Sequence, residues 1–314
     1  FSSYQSVWRK PIISKINDYK IISMPPPSSG GIALSQLLNI LFNFETNNLK
    51  HNSTKYIHLL TEIEKLVYAD RSKYLGDSDF FNVPVKKLLN KEYLETQAKK
   101  IDLSKAEPSK NIDPGNLNYK ESEETTHFSI VDFEGNAVSL TTTLNTNFGS
   151  KVFVDDLGFL LNNEMDDFSS KPGHPNTYGL IGSEANSIEP GKRMLSSMTP
   201  TIIEKKDNLF LILGSPGGST IITSVFQTFL NLILFDMDVQ SAVDAPRFHH
   251  QWLPDFIFTE NNSFSEPILD SLKLLGHKIK KRSSMGHVNA ISIGENIKTG
   301  ADHRGSNTAL IISK

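Results

Sequence analysis

Residues 125–145 constrain the fold of this chain more than any other segment. They read T-T-H-F-S-I-V-D-F-E-G-N-A-V-S-L-T-T-T-L-N. Two strand-like runs, 127–132 and 137–144, flank the turn composition Phe-Glu-Gly-Asn at 133–136. Apolar alternation on both sides of a glycine-containing turn predicts a β-hairpin. The hairpin follows an acidic and polar run at 120–124, so the sequence changes from charged to strand-like at Thr125.

The junction between Glu124 and Thr125 is the first candidate for chemistry. Cleavage there would expose Thr125 at the N-terminus of a strand. A threonine hydroxyl is a weak nucleophile until a base removes its proton, and a new α-amino group with a pKa near neutrality can serve as that base. The sequence therefore indicates Thr125 as a candidate nucleophile that needs no second side chain.

Bulk composition narrows the classes of function. The 314 residues are 38% hydrophobic, which suits one large or two medium domains with an ordinary core. A formal net charge of -3 gives no basic footprint, so nucleic acid and anionic membranes are poor partners. The absence of cysteine excludes disulfides, thiolate metal sites and cysteine nucleophiles.

No segment is predicted to span a membrane. The longest apolar stretch, 221–235, is interrupted by polar residues and is too short to cross a bilayer, so we predict a buried helix there. The chain opens with Phe1 and shows no secretion-signal pattern, so we expect any export signal to lie outside these residues. We interpret the chain as a processed product or a fragment.

Helical and strand patterns follow one another in blocks. Apolar residues at helical spacing predict helices from 32 to about 44 and from 56 to about 74. Residues 99–124 are charged and poor in large apolar residues, which predicts an exposed connection. A second hairpin is predicted within 201–213, followed by a helix from 220 to 235. Sheets packed with helices in layers favour an α+β fold.

A glycine pair, Gly217 and Gly218, precedes the last of these helices. Residues without a Cβ let backbone N–H groups approach a ligand, and a helix N-terminus favours negative charge, so the turn suits a developing oxyanion. A purely structural turn, with glycine supplying a positive φ, explains the same residues. The lysine of a P-loop is absent, which disfavours a phosphate site.

Two polar clusters offer recognition of a small charged ligand. Residues 162–167, N-N-E-M-D-D, could hold an ammonium group or a cation, or could form only a solvated loop. Ser196 and Ser197 could donate hydrogen bonds to a carboxylate, with charge added by Lys192 or Arg193, or could form an ordinary turn. Composition alone favours the solvated loop for the first cluster and the ordinary turn for the second.

The pair His249 and His250 could suggest a metal site. Adjacent residues of an extended segment point to opposite faces, so this pair cannot chelate an ion alone. We therefore predict a packing role for it, and we assign neither a metal nor a cofactor to the chain.

Nine motifs occur in order along nearly the whole chain. They are S-M-P-P-P-S-S-G-G at 23–31, Y-A-D-R-S at 68–72, T-T-H at 125–127, T-L-N at 143–145, L-N-N-E-M-D-D-F-S at 161–169, P-G-x-P-N-x-Y-G-L at 172–180, K-R-M-L-S-S-M-T-P at 192–200, G-S-P-G-G-S at 214–219 and A-P-R-F-H-H-Q-W-L-P-D at 245–255. Together they resemble the γ-glutamyltranspeptidase family, also called γ-glutamyltransferase or glutathione hydrolase, of the N-terminal nucleophile hydrolase superfamily.

The resemblance implies an αββα four-layer sandwich of the N-terminal nucleophile hydrolase type, within the α+β class. It also implies a precursor that cuts itself at Glu124–Thr125 into a heterodimer. Residues 1–124 would be the C-terminal part of the large subunit, and residues 125–314 the small, catalytic subunit. The resemblance implies a periplasmic or secreted location as well.

The activity implied by the resemblance is ping-pong acyl transfer. Thr125 would attack the γ-carbonyl of glutathione or a related γ-glutamyl compound and form a γ-glutamyl-threonine ester. Water, an amino acid or a dipeptide would then take the γ-glutamyl group. Thr143 would support the nucleophile by hydrogen bonding, and Gly217 and Gly218 would form the oxyanion hole.

The resemblance further implies a pocket for the glutamyl head group. The residues implied for its α-amino group are Asn145, Glu164 and Asp167. Those implied for its α-carboxylate are Ser196 and Ser197. A lid loop over the pocket would carry Tyr178.

The chain departs from the family pattern because it lacks the N-terminal half of the large subunit. That half contains the arginine that pairs with the substrate α-carboxylate, so Ser196 and Ser197 are expected to lack their charged partner. Neither Lys192 nor Arg193 is expected to replace it. The same half covers one side of the sandwich, so we expect this chain to expose apolar surface.

Two alternatives stay open. A related amidase, such as a cephalosporin acylase or a capsule poly-γ-glutamate transpeptidase, shares the fold and the nucleophile; the acids at 164–167 and the serines at 196–197 argue instead for a free glutamyl head group. The other alternative is a truncated protein without catalysis. The intact motifs from residue 125 onward argue against it, and the missing half argues for it.

Overall fold

The computed structural model describes residues 3–112, 125–169, 171 and 182–312. Its helices are α1 (Gly30–Leu41), α2 (Thr54–Tyr74), α3 (Val85–Leu88), α4 (Lys91–Ala98), α5 (Thr220–Leu234), α6 (Val239–Asp244) and α7 (Glu266–Leu274). Its strands are β1 (Ile12–Ile16), β2 (Tyr19–Ser23), β3 (Thr126–Val131), β4 (Ala137–Thr142), β5 (Phe153–Val154), β6 (Phe159–Leu160), β7 (Thr201–Lys205), β8 (Asn208–Gly214), β9 (Phe248–His249), β10 (Ile257–Glu260), β11 (Ile279–Arg282), β12 (Asn289–Ile293) and β13 (Ile297–Ala301). The mixture of sheets and helices confirms the α+β class.

A six-stranded sheet lies at the centre, in the order β1-β2-β7-β8-β12-β13, with every neighbouring pair antiparallel. Its β7–β8 pair confirms the second predicted hairpin. Lys206 and Asp207 form the two-residue turn with φ angles of 50° and 63°, as in a type I′ turn. Because β2 precedes residue 124 and β7 follows it, both parts of the chain contribute to one sheet.

Helices cover one face of this sheet. Helix α1 packs against β1, β2 and α5, and α2 lies against α1. The regularly spaced apolar residues that predicted these helices form the core, where Leu37, Ile63 and Phe226 are each fully buried. The predicted bounds of α1, α2 and α5 agree with the observed bounds to within three residues.

The start of α1 lies directly against the segment that carries Ser196. A Cβ added to Gly30 would lie 2.3 Å from the carbonyl oxygen of Met198, so this approach requires glycine. The Ser29 N–H donates to the Ser196 carbonyl at 2.8 Å, and the Ser196 N–H donates to the Pro27 carbonyl at 3.0 Å. These contacts fix the position of the serine segment relative to α1.

The predicted β3–β4 hairpin packs on the opposite face of the sheet. The Ser139 hydroxyl donates to the Leu213 carbonyl at 3.0 Å, and the Asn289 side chain donates to the His127 carbonyl at 3.0 Å. Successive residues of a strand point to opposite faces. Here the face that meets the central sheet carries the polar residues, and the other face carries the apolar ones.

The outward face of this hairpin is apolar and open. Its residues Phe128, Ile130, Val138 and Leu140 are 40%, 53%, 47% and 37% exposed. Four neighbouring large apolar side chains on one sheet face form the kind of patch that a covering layer normally buries. The expectation that this chain exposes apolar surface is confirmed at these residues.

The remaining described elements lie around this centre. Strands β9, β10 and β11 form a three-stranded sheet, and α7 packs near α2. Residues 99–112 are mostly exposed, as predicted, although Ser109 is buried and its carbonyl accepts a hydrogen bond from the Trp252 indole at 3.0 Å. Within the described ranges, no helix combines the length and the apolar character that a membrane crossing requires.

Candidate active site

Thr125 lines a cleft where the hairpin, α2, α5 and two connecting segments meet. The residues that line this cleft are Arg71, Thr125, Thr143, Asn145, Asp167, Leu195, Ser196, Ser197, Met198, Gly218, Ser219 and Ile221. Seven of the ten site residues expected from the sequence are among them. Of the other three, Gly217 and Glu164 lie next to residues that line the cleft, and Tyr178 falls outside the described residues. Glu124, on the other side of the predicted cleavage junction, also falls outside them.

The register of the hairpin brings Thr143 next to Thr125. Thr126 pairs with Thr142 at the open end of the hairpin. One further step in the same register sets Thr125 opposite Thr143. Thr125 is half-buried and belongs to the same strand face as the buried His127. Two threonines therefore meet at one end of the cleft, which suits a nucleophile with a hydrogen-bonding neighbour.

Gly217 and Gly218 form a turn immediately before α5. The φ of 129° at Gly217 is one that L side chains rarely adopt, and a Cβ there would lie 2.6 Å from the Thr220 hydroxyl, so this position requires glycine. The φ of 55° at Gly218 lies in the left-handed region that glycine favours. Gly218 lines the cleft, and Gly217 lies behind it against Gly286. The turn stands at the N-terminus of a 15-residue helix, whose dipole favours negative charge. It is the part of the cleft best suited to an oxyanion.

Asp167 presents a carboxylate to the cleft from a short 3₁₀ helix, Glu164–Asp167. Burial, with the charge of Glu164 second, raises the pKa of Asp167 well above its usual range, and Arg71 opposes this shift. Burial raises the pKa of Glu164 to about 7. A cation placed against the two carboxylates would favour their charged forms. This corner of the cleft is therefore suited to an ammonium group.

Asn145 connects the end of the hairpin to the segment that carries these acids. It is buried, and its φ of 78° lies in the left-handed region that asparagine tolerates better than most residues. Its N–H donates to the Thr143 hydroxyl at 2.7 Å, and its side-chain amide donates to the Asn163 carbonyl at 3.1 Å. Thr143 and the acidic corner are thus held together.

Arg71 is a site residue that the sequence did not reveal. It lies on α2, is 3% exposed, and lines the cleft beside the two serines. Its Nη2 donates to the Ser197 hydroxyl at 2.9 Å, and its Nε donates to the Ser29 hydroxyl at 2.9 Å. The expectation that the serines lack a cationic partner is therefore wrong for Ser197.

A signal for Arg71 was present in the sequence. Leu60, Ile63 and Val67 are spaced three and four residues apart along α2, and the same spacing places position 71 on their buried face. A charged residue at a position that the period assigns to the core is paired or functional in most proteins. The motif Y-A-D-R-S at 68–72 also contains this residue.

The two cations suggested for the serine pair are engaged elsewhere. Lys192 donates to a Glu189 carboxylate oxygen at 2.8 Å. Arg193 donates to the Gln5 carbonyl at 2.9 Å and lies 3.8 Å from an Asp79 carboxylate oxygen. Neither is among the residues that line the cleft.

His249 and His250 are buried within the core. His249 Nδ1 lies 2.9 Å from the Thr223 hydroxyl, and His250 Nδ1 accepts a hydrogen bond from the Trp252 N–H at 3.0 Å. Burial lowers the pKa of His249 to about 3 and that of His250 to about 4. Both rings are therefore neutral at pH 7 and act as packed hydrogen-bonding groups, as predicted.

Comparison with known proteins shows the family of this chain. A family model described as Gamma-glutamyltranspeptidase matches residues 1–312. The chain belongs to the gamma-glutamyltranspeptidase family. A gamma-glutamyltranspeptidase from Pseudomonas nitroreducens, solved in complex with L-DON, is 48% identical, covers 60% of this chain and all of its own, and superposes with a TM-score of 0.58.

Two further proteins are similar to this chain over almost its whole length. The glutathione hydrolase proenzyme of Escherichia coli is 49% identical over 293 residues, which cover 93% of this chain and 50% of that protein. The cephalosporin acylase from Bacillus halodurans is 25% identical, covers 98% of this chain and 54% of its own, and gives a TM-score of 0.83. These neighbours confirm the sandwich fold of the N-terminal nucleophile hydrolases. The chain spans about half the length of the curated relatives it matches.

Proposed function

We propose that this chain carries the nucleophile and the head-group pocket of an enzyme that transfers γ-glutamyl groups. The observation that carries the proposal is the cleft, which gathers Thr125, Asp167, Ser197 and Gly218 from separate segments of the chain. A relative named glutathione hydrolase proenzyme supports glutathione and related γ-glutamyl compounds as the substrate class.

The proposed reaction begins once cleavage at Glu124–Thr125 has freed the α-amino group of Thr125. That amine takes the proton of the Thr125 hydroxyl, and the oxygen attacks the γ-carbonyl carbon of the substrate. The tetrahedral oxyanion forms beside the N–H groups of Gly217 and Gly218. The C–N bond then breaks, the amine leaves with the transferred proton, and a γ-glutamyl ester remains on Thr125. Water, an amino acid or a dipeptide takes the γ-glutamyl group in the second half-reaction.

The γ-glutamyl head group carries one positive and one negative charge, and the cleft offers a region for each. Asp167, with Glu164 and Asn145 beside it, receives the α-ammonium group. Ser196 and Ser197 donate hydrogen bonds to the α-carboxylate. Because the two regions lie on different segments, both ends of the head group are held and the γ-carbonyl is directed towards Thr125.

Self-cleavage would divide the chain into residues 1–124 and 125–314. We propose that the two pieces remain together as a heterodimer, because α1 and α2 share a hydrophobic core with α5. Strands β2 and β7 also pair over five residues across this division. Separation would expose that core to water at a large cost in free energy, whereas cutting the peptide bond leaves the packing contacts in place.

Location and acceptor are proposed from the family resemblance. We propose a periplasmic or secreted protein that passes the γ-glutamyl group to water, an amino acid or a dipeptide. Nucleic acid is not proposed as a partner, because the formal net charge of -3 offers no basic surface for phosphates.

Replacing Asp167 by asparagine tests the head-group pocket. The variant keeps the shape of the side chain but loses the charge that attracts the ammonium group. We expect kcat/KM for γ-glutamyl-p-nitroanilide to fall by about 10-fold to 100-fold, as for the loss of one charge-assisted hydrogen bond. Glutaryl-p-nitroanilide keeps the carboxylate but lacks the α-ammonium group, so its slower hydrolysis should change little.

The comparison of the two anilides separates the proposal from a second candidate. A TM-score of 0.83 over 98% of the chain with a cephalosporin acylase favours an amidase for other acyl groups as that candidate. An equal loss on both anilides in Asp167→Asn, or a wild-type preference for the glutaryl compound, would support the amidase. Asp166→Asn provides a matched control, because Asp166 does not line the cleft.

The pH dependence of kcat/KM provides a test of Glu164. Its pKa is about 7 because of burial, so its carboxylate gains charge as the pH rises through neutrality. Only the charged form attracts the substrate ammonium group, so kcat/KM should rise between pH 6 and pH 8. The Thr125 α-amino group titrates in a similar range, so the assignment depends on Glu164→Gln. That variant should show a shallower rise, and an identical profile would show that Glu164 takes no part.

A further inference from the structure

A buried arginine lies beneath the serine pair, at the C-terminal end of α2. The Arg71 guanidinium reaches out of the helical layer and meets Ser197, 126 positions further along the chain. The pair is buried, with Arg71 3% and Ser197 8% exposed. A buried hydrogen bond from a charged donor is stronger than a neutral one, because water does not compete for either group.

The direction of the Arg71 bond determines what the Ser197 hydroxyl can do. Arginine has only donors, so the Ser197 oxygen is the acceptor of the 2.9 Å bond. The hydroxyl proton then points to another acceptor, and Ser197 lines the cleft. A hydroxyl that accepts from a cation is also a better donor, since hydrogen bonds in a chain polarise one another. Arg71 therefore prepares Ser197 to donate to an anion.

A second bond from the same guanidinium acts on the backbone of the serine segment. Arg71 Nε donates to the Ser29 hydroxyl at 2.9 Å, and that hydroxyl donates to the Ser196 carbonyl at 2.7 Å. The fork of the guanidinium thus bridges the start of α1 and the segment that lines the cleft. Lysine has a single nitrogen and cannot reproduce both directions with the same rigidity.

We propose that Arg71 is a positioning residue for substrate carboxylate recognition: it orients the Ser197 hydroxyl towards the α-carboxylate and places a positive charge behind it. The proposal rests on the proposed γ-glutamyl function. Its charge also lies within range of Asp167, where Arg71 favours the ionised carboxylate. This influence on Asp167 is smaller than those of burial and Glu164, so the main action of Arg71 is on the carboxylate end of the head group, without contact with the reacting atoms.

A variant pair with matched substrates tests this proposal. Arg71→Met keeps the length of the side chain and removes the guanidinium, with its charge and its hydrogen-bond donors. The substrates are γ-glutamyl-p-nitroanilide and the same compound with its α-carboxylate converted to a carboxamide. We expect the variant to raise KM for the acid by about 10-fold or more with a smaller change in kcat, and to leave kcat/KM for the carboxamide within a few-fold of wild type.

Two further variants separate positioning from simple structural support. Ser197→Ala removes the group through which Arg71 acts, so Arg71→Met should add little further loss in that background. Lys73→Met, two residues along α2 at an exposed position, makes the same chemical change away from the cleft and should behave as wild type. If Arg71→Met does not fold, Arg71→Lys gives the same test, with a smaller loss on the acid and again none on the carboxamide.

The following outcomes decide whether Arg71 has the proposed role. Equal losses on the acid and the carboxamide, or additive losses in the double variant, would show that Arg71 is a structural support only. Calorimetric binding of L-glutamate, measured in parallel, should be weakened in Arg71→Met to the same extent as KM rises. A wild-type protein that binds L-glutamate but cleaves neither anilide would refute the acyl-transfer function and leave the Arg71 result interpretable; one that neither binds nor cleaves would overturn both.

Discussion

Replacing Thr125 by alanine is expected to leave the chain uncut and to lower γ-glutamyl hydrolysis by about 10³-fold or more, as for the loss of a nucleophile elsewhere. The variant removes the oxygen that we propose attacks the scissile peptide and, later, the substrate. The structure supports this position because Thr125 lines the cleft beside the glycine turn and the acids. Intact mass under denaturing conditions measures the cut, and steady-state release of p-nitroaniline measures the activity.

The adjacent threonine makes a closely matched control. Thr126 is exposed and lies on the opposite strand face, so Thr126→Ala should be cut and active. Thr125→Ser retains a hydroxyl and should be cut more slowly. A cut Thr125→Ala chain would place the scissile bond or the nucleophile elsewhere. A wild-type chain that stays whole and inactive would favour the alternative of a non-catalytic fragment.

Replacing Asp302 by alanine is expected to destabilise the protein by about 3–5 kcal/mol, the usual cost of breaking a buried ion pair from one side. The Asp302 carboxylate lies 2.7 Å from the Arg247 guanidinium, with 0% and 2% of the two side chains exposed. It also accepts a hydrogen bond from the Val288 N–H at 2.8 Å. The variant would leave the Arg247 charge buried without this partner. Urea denaturation monitored by fluorescence measures the change in the free energy of unfolding.

The same change should reach the active site through the backbone. Arg247 donates to the Met285 carbonyl at 2.8 Å, and the adjoining Gly286 packs against Gly217 behind the cleft. We therefore expect Asp302→Ala to lose activity at temperatures where it is still folded. Asp270→Ala is the control, because its ion pair with Lys273 is exposed and its removal should leave stability nearly unchanged. A similar response of both variants would show that the buried pair is compensated by other groups.

The pH dependence of Asp302→Ala gives an independent check. Burial acts to raise the pKa of Asp302, but Arg247 and nearby N–H groups hold it below its usual range. A lowered folded-state pKa contributes stability above the unfolded value, and that contribution is lost as the pH falls through the folded value. The difference between the variant and wild type should therefore be largest near neutral pH and shrink in acid.

Local structure could be predicted from the sequence because each element carries its own signal. The alternation around residues 133–136 specifies β3 and β4, and leucines at helical spacing specify α1. Gly217 and Gly218 marked a turn, and the φ of 129° at Gly217 requires glycine. These signals depend on neighbouring residues alone, so they need no knowledge of the tertiary structure.

The partner of Ser197 could not be predicted, because it depends on a contact between distant segments. Helical periodicity places position 71 on the buried side of α2, but it does not say what that side faces. The approach of α2 to the serine segment is set by the packing of α1 between them and the sheet. The interpretation that the serines lack a cation failed for this reason.

The orientation of the β3–β4 hairpin was equally beyond the sequence. Side chains alternate between the two faces of a strand, so the sequence pattern separates the faces but does not indicate which face is buried. Apolar Phe128 and Ile130 would ordinarily be placed against the sheet. Instead His127 takes that side, where its Nδ1 lies 2.9 Å from the Thr141 hydroxyl and burial lowers its pKa to about 4.

The contact between Gly30 and Met198 has a consequence for how this protein can change over time. Here the spacing between a helix and a ligand-binding segment is set by main-chain atoms, which are the same whatever side chains surround them. Residues that make no contact with this segment can therefore be exchanged with little effect on the place of the serines. A single methyl group at position 30 cannot be accepted, since its carbon would lie 2.3 Å from a carbonyl oxygen. Substitutions further away can change the surroundings of the serines, while glycine at position 30 keeps the helix at the same distance from them.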